Sequence, residues 1–417
     1  MSKKIFTRFQ SSETDGLYAW ARLWAALAIM TIGGFGMYAC TVALLPVATE
    51  FGLSRGEASL PYTLFTIGFG AGGIFYGWAT SRWNTARILL IASLIYGSGF
   101  LIASAAGAFW VYAVAFGLPI GFLGAAATFS PLVADISLWF EKRRGFAIGI
   151  VISGNYIAGT IWPPITQALI DALGWRDALM FIGLFCLSAM PALTLMLRRQ
   201  PPALDEITPG RQFVAPKRPL GFHRETLQGL LCVAGVACCV AMSMPQVHIV
   251  ALCSDLGLGA VHGANMLALM MAAGVASRLI SGWISDKIGG FRTLLLGSVL
   301  QLFALTLFLP FDGLFPLYVV SFIFGLSQGG IVPSYALIVR ENFPAKDAGW
   351  RIGTVMSFTL FGMALGGLLS GIIHDVTGTY QAAFLNGIGW NLINGSLAVF
   401  LLWRAKKYLL PSKNSAA

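Results

Sequence analysis

Long apolar runs, broken by short stretches that carry charge, glycine or proline, repeat along the whole 417-residue chain. Twelve runs stand out, at about 21–46, 58–79, 87–106, 109–133, 145–168, 177–197, 227–252, 264–284, 292–310, 315–338, 351–373 and 381–403. Each is long enough to cross a hydrocarbon core of roughly 30 Å as a helix rising 1.5 Å per residue. The ten-residue alternation of apolar and polar positions that barrel strands would show is absent. The pattern therefore predicts an all-α integral membrane protein with twelve transmembrane helices.

The polar intervals are unequal. The longest, RRQPPALDEITPGRQFVAPKRPLGFHR from Arg198 to Arg224, is rich in proline and basic residues and suited neither to span nor to pack a core. It divides six runs from six, so the expected organisation is a first unit at 1–197, a cytoplasmic linker at 198–225 and a second unit at 226–417. The two units echo each other. EFGLS from Glu50 aligns with DLGLG from Asp255, and GWATSRWNTAR from Gly77 with GWISDKIGGFR from Gly282, both at an offset of 205. RGFAIG, ending at Gly149, aligns with GWRIG, ending at Gly353, at 204, which argues for a duplicated six-helix unit.

Composition agrees with the pattern: 57% hydrophobic, 11% charged and 49 glycines belong to a polytopic helical membrane protein. Basic residues then set the orientation, because lysine and arginine stay on the cytoplasmic side in short loops. With the N-terminus inside, 24 of the 27 fall in cytoplasmic segments, only Arg55 and Arg176 fall outside, and Arg278 falls within a run. Both termini are thus expected in the cytoplasm of a cell whose inner (cytoplasmic) membrane holds the protein. The net charge of +10 reflects this topology and calls for no nucleic-acid partner. The first run, about 25 residues without a small-residue cleavage site, reads as a spanning helix and not a signal peptide. The six cysteines have no metal-ligand spacing with histidine and read as packing residues, so no metal or cofactor is expected.

One residue breaks the apolar pattern. Arg278 is a lone cation in the run Met266 to Ile284, and none of the 17 acids lies in that run; Asp255 and Asp286 flank it in loops. A charge at bilayer depth costs at least ~2.5 kcal/mol, and its retention marks a functional site or a compensating partner. Snorkelling is the alternative, but Arg278 sits eight residues before Asp286, roughly 12 Å in along a helix. Helical side chains also lean toward their own N-terminus, here toward the membrane centre. An arginine without an acid offers a planar fork for one carboxylate.

The loop motifs carry a resemblance. Gly282, Asp286, Lys287, Gly289 and Arg292 are similar to the G-x-x-x-D-[RK]-x-G-[RK]-[RK] loop of the major facilitator superfamily; the first copy keeps Gly77 and Arg82 but has Ser81 and Asn84. DGLYAW from Asp15 and WFEKRRGFAIGIVISGNYIAG from Trp139 further resemble the monocarboxylate transporter family and its bacterial relatives, including the oxalate/formate antiporter. That family carries an arginine in its eighth helix, where Arg278 falls, and a first-helix tyrosine that Tyr38 matches. The resemblance implies two six-helix bundles around a central cavity. Substrate-contact candidates on the helices around it are Tyr38, Thr41, Asn155, Tyr156, Gln246, His248, Gln328 and Tyr335, each of which serves equally as interhelical glue. Gating candidates are Asp286, Lys287, Arg292 and Arg82 in the loops, with Asp135, Arg143 and Arg144 in a gate or structural charge cluster. Unlike the family, this chain has no lysine in the first or eleventh helix, and Gly274 replaces the aspartate one turn before the arginine.

The expected function is secondary transport of a small monocarboxylate by alternating access, by a monomer embedded in the bilayer and linked to protons, with His248 the titratable residue to test. Carboxylate exchange of the oxalate/formate type is the alternative, and a carrier of another small organic solute is the runner-up. No paired carboxylates, metal cluster or nucleophile with its base points to an enzyme. The linker and tail are too short for the output domain of a receptor.

Overall fold

The computed structural model describes residues 15–80, 82–140, 144–199 and 219–409, and every regular element there is a helix. Eleven stretches are long and apolar enough to cross a membrane. With the 30-residue helix Arg144–Leu173, which contains the fifth expected run, they form twelve segments in chain order. These are α1 Leu17–Val42, α2 Arg55–Ala79, α3 Thr85–Ser104, α4 Phe109–Ile136, α5 Arg144–Leu173 and α6 Trp175–Leu195, then α7 Arg224–Asp255, α8 Ala260–Ile288, α9 Gly290–Leu307, α10 Leu314–Asn342, α11 Ala345–Thr377 and α12 Tyr380–Leu409. The interval 200–218, with the middle of the expected linker, lies outside the described residues.

Segment α4 is not one continuous α-helix. Its middle, Phe116–Gly124, is wound as a π-helix containing Pro119 and passes into a 3-10 turn at Ala125–Thr128. Proline lacks the N–H of the regular ladder and crowds the preceding turn, and a π-turn is one way the backbone absorbs this. The wide turn packs against α2 and α3.

The two sequence copies build their loop ends with different chemistry. Gly52 and Gly257, at equivalent places, both adopt positive φ (64° and 73°). The next helix then starts on Ser54 in the first copy, whose side chain accepts from the Glu57 N–H in a capping box. In the second it starts on Gly259 at φ 91°. Likewise Asn84 accepts from the Ala86 N–H at 2.8 Å to start α3, where Gly289 at φ 82° starts α9. A side-chain oxygen in the first copy thus satisfies an open helix N–H where the second uses backbone freedom. The departure of Asn84 from the loop motif is compatible with the same helix-turn-helix path.

Segments from the first six meet segments from the last six along two main seams, α5 on α8 and α2 on α11. The two seams hold the chemistry described next. The end of the bundle where α1 begins and α12 ends is called proximal below, and the opposite end distal.

Candidate functional site

Arg278 sits on α8 about 27 Å from its distal start and 15 Å from its proximal end at the helical rise. It is half-buried, and its Nε is buried with no hydrogen-bond partner. No salt bridge to it is formed among the described residues. What faces the guanidinium is an aromatic ring: its central carbon lies 4.3 Å from the centroid of Tyr156 on α5. A cation over a π face gains ~0.5–2 kcal/mol, depending on desolvation, less than an acid would supply.

Gly274, one turn before Arg278, explains how the ring gets there. A Cβ at Gly274 would clash with the edge of the Tyr156 ring. The same position cannot hold both an acid and this aromatic contact. On the other side of α8, Gly329 lets α10 approach so closely that a Cβ there would lie 2.8 Å from the Arg278 backbone nitrogen. Ser277 fastens the same turn by donating to the Leu326 carbonyl at 2.6 Å.

Distal to the ring lies Tyr38 of α1. Its hydroxyl donates to the Asn155 carbonyl at 3.2 Å and reaches the Met271 sulfur at 3.4 Å, joining α1, α5 and α8. Tyr38, Asn155, Tyr156 and Arg278 are therefore brought together, with Met271 as a member that the residue types alone did not mark. Gln328 is on the α10 turn that packs against Arg278. It accepts from Gln246 of α7 at 2.6 Å and keeps its own buried amide nitrogen without a partner.

Three other candidates are placed elsewhere. Thr41 donates within its own helix to the Met37 carbonyl. Tyr335 is fully buried in the cluster of the last six segments and donates to Asn394 at 2.8 Å. His248 is fully buried, with one ring nitrogen 2.8 Å from the Gly367 carbonyl and the other 3.3 Å from the Tyr380 hydroxyl. None of these contacts leads to Arg278.

The gating candidates divide similarly. Asp135 is locked to Arg22 of α1 by two hydrogen bonds of 2.7 Å, with both side chains at most 2% exposed. Arg82 stacks on Trp78 at 4.2 Å and Lys287 on Trp283 at 3.6 Å, the same i−4 arrangement in both copies. Each of these two cations thus rests on an aromatic ring one turn earlier in its own chain segment. Arg292 stands in the first turn of α9. Arg143 and the side chains of Arg144 and Asp286 lie outside the described residues.

The distal end carries an ion-pair network that sequence reasoning missed. Arg55 at the start of α2 bonds Asp255 at the end of α7 at 2.7 Å, and His374 of α11 lies 3.5 Å from the other oxygen of Asp255. Asp375 accepts from the backbone N–H groups of Arg55 and Gly56 at 2.8 and 2.7 Å. A Cβ on Gly56 or Gly371 would press into the opposing helix. Among the described residues this is the ion-paired crossing between the first and last six segments, and it ties α2 to α7 and α11 at the distal end. Arg55 was visible in the sequence only as one of two basic residues off the cytoplasmic side.

A family profile of the Major Facilitator Superfamily matches residues 25–315 and again 231–417. The chain is 28% identical over 349 residues to Monocarboxylate transporter 11 of Homo sapiens, covering 78% of this chain and 70% of that one. It is also 28% identical over 310 residues to Monocarboxylate transporter 13 of Bos taurus, covering 73% and 71%. In fold it is similar to a bacterial homolog of the human lysosomal transporter Spinster, with a TM-score of 0.74 and 14% identity over 94% of this chain and 98% of that one. The profile match over most of the chain and the all-helical, membrane-spanning architecture agree: the chain belongs to the Major Facilitator Superfamily and is a multi-pass secondary transporter, not an enzyme.

Proposed function

We propose that the protein carries a small monocarboxylate across the membrane by alternating access, with Arg278 as the anion's countercharge. The observation that carries this reading is the intramembrane guanidinium of Arg278, with a ring on one face, an unpartnered Nε and, among the described residues, no acid paired with it. One fork suits one carboxylate. Tyr38, Asn155, Tyr156 and Gln328 would line the site, Gln328 offering its free amide nitrogen. The similarity to monocarboxylate transporters supports the same substrate class. Proteoliposome uptake is the test: monocarboxylates should enter and compete with one another, while dicarboxylates, sugars and organic cations should not. Uptake of a neutral sugar at the same rate would replace this reading with a carrier of another solute.

A second reading concerns coupling. Proton-linked uptake needs the proton to ride on the substrate or on a titratable group, and the ring of His248 is already held at both nitrogens. The Tyr156 contact favours exchange, because an empty site leaves the arginine with only a π face and a loaded one neutralises it. Preloading vesicles with a carboxylate should then speed uptake more than an imposed pH gradient does. The opposite result would restore proton symport.

A further inference from the structure

The outer face of the last six segments carries a groove that transport leaves unused. It runs between α9 and α12, has a volume of about 570 Å³, and is walled by Leu295 and Val299 on α9 and by Leu392, Val399 and Trp403 on α12. Val299, Leu392, Val399 and Trp403 are each more than half exposed, so the groove opens outward, which for membrane segments is toward lipid. Gly395 leaves its floor hollow, since a Cβ there would meet nothing within 4 Å. Behind it, Asn391 donates to the Ser298 carbonyl at 2.9 Å and Asn394 to the Ser298 hydroxyl at 2.8 Å, which holds α9 and α12 together.

Length and charge identify the occupant. On α12 the lining runs from Asn391 to Trp403, roughly 18 Å at the helical rise and close to the ~15 Å that one leaflet contributes to the hydrocarbon core. Each helix then places a cation at the proximal mouth. Arg292 precedes Leu295 by three residues and Val299 by seven, and Lys407 follows Trp403 by four, spacings that keep both on the faces that line the groove. Both are exposed, and the Lys407 Nζ lies 5.7 Å from the centroid of the Trp403 ring. Among the described residues neither forms an ion pair with an acid. We propose that the groove holds one chain of an anionic phospholipid from the proximal leaflet, with its headgroup phosphate drawn to Arg292 and Lys407. The apolar walls take the chain, the tryptophan sits at the depth where its ring meets the headgroups, and the guanidinium and ammonium attract the phosphate. The site is separate from the substrate reading, because the residues around Arg278 belong to α1, α5, α8 and α10.

Native mass spectrometry of the full chain in detergent, titrated with phosphatidylglycerol or phosphatidylcholine of identical chains, tests the proposal. The first phosphatidylglycerol should bind at least about fivefold more tightly than the first phosphatidylcholine, the factor that one basic residue near a membrane surface contributes. Arg292→Gln combined with Lys407→Gln should bring the two lipids level. Gly395→Leu fills the hollow and should weaken the first phosphatidylglycerol at least about fivefold, while an unchanged melting temperature without lipid shows that the fold is kept. Equal binding of the two lipids to the wild type overturns the proposal, as does a preference that persists in both variants. A dimer that Gly395→Leu dissolves would give the groove to a second copy of the chain and overturn it too.

Discussion

Arg22 and Arg278 both lie within membrane segments next to aromatic rings, and they do opposite things. Arg22 of α1 has its guanidinium 4.9 Å from the Trp139 ring and Arg278 of α8 has its own 4.3 Å from Tyr156. Arg22 also bonds both oxygens of Asp135, the Arg199 carbonyl and the Tyr18 hydroxyl, so its fork is filled. Arg278 has Gly274 and not an acid one turn before it, and its Nε is unfilled. The presence of a partner acid, not the ring, separates a clamp that ties α1 to α4 from the proposed anion site at Arg278.

Breaking the clamp should have the largest effect. Arg22→Leu leaves Asp135 buried and uncompensated, a loss of about 3–5 kcal/mol, and should show as poor expression and early thermal unfolding. Replacing both partners together, Arg22→Leu with Asp135→Leu, should recover much of that stability. If the single and double variants unfold alike, the pair is not a structural clamp.

Breaking the site should act on transport instead. Arg278→Ala should lower carboxylate uptake by about 30-fold or more, the consequence of removing one member of a buried charge pair worth roughly 2–5 kcal/mol, with thermal stability nearly unchanged. Arg278→Lys should also transport poorly, since an ammonium lacks the bidentate fork. Wild-type kinetics in the alanine variant would remove Arg278 from the site. Loss of folding instead would make it a second Arg22.

A finer cut sharpens what the ring does for Arg278. Tyr156→Phe keeps the π face and should stay within about twofold of wild type. Tyr156→Leu removes it and should shift the apparent KM by about 3–10-fold, as a cation–π contact of ~0.7–1.4 kcal/mol implies. Equal effects of the two substitutions would point to the hydroxyl as a substrate contact.

The smallest effect belongs to a third arginine, in the first turn of α6 at its distal end. Arg176 bonds Glu50 at 2.6 and 3.0 Å, and Trp175 adds its N–H at 2.6 Å. The Arg176 guanidinium above all holds the Glu50 carboxyl below the usual range. A depressed folded-state value means that the stabilisation is complete above the unfolded carboxylate value, near ~4.3, and is lost as pH falls through the folded one. Both side chains are about a third or more exposed, so solvent screening limits the pair to less than ~1 kcal/mol. Glu50→Gln should lower the melting temperature slightly at pH 7 and not at all near pH 3.

Much of this was legible in the residues. Apolar runs and basic loops marked the segments, because crossing a hydrocarbon core and retaining lysine and arginine on one side are one-dimensional constraints. The isolation of Arg278 was legible too, since an inventory of 17 acids shows none in its segment. What the residues could not decide is which way each helix faces. Thr41, Tyr335 and His248 are the same kinds of residue as Tyr38, Asn155 and Gln328, yet helix rotation turns the first three to partners away from Arg278. The Arg55 contact with Asp375 joins residues 320 apart, and Gly274 acquires its meaning only when α5 brings Tyr156 against it. Membrane insertion is read along the chain, whereas partnership between side chains is set by helix packing, which no single segment encodes.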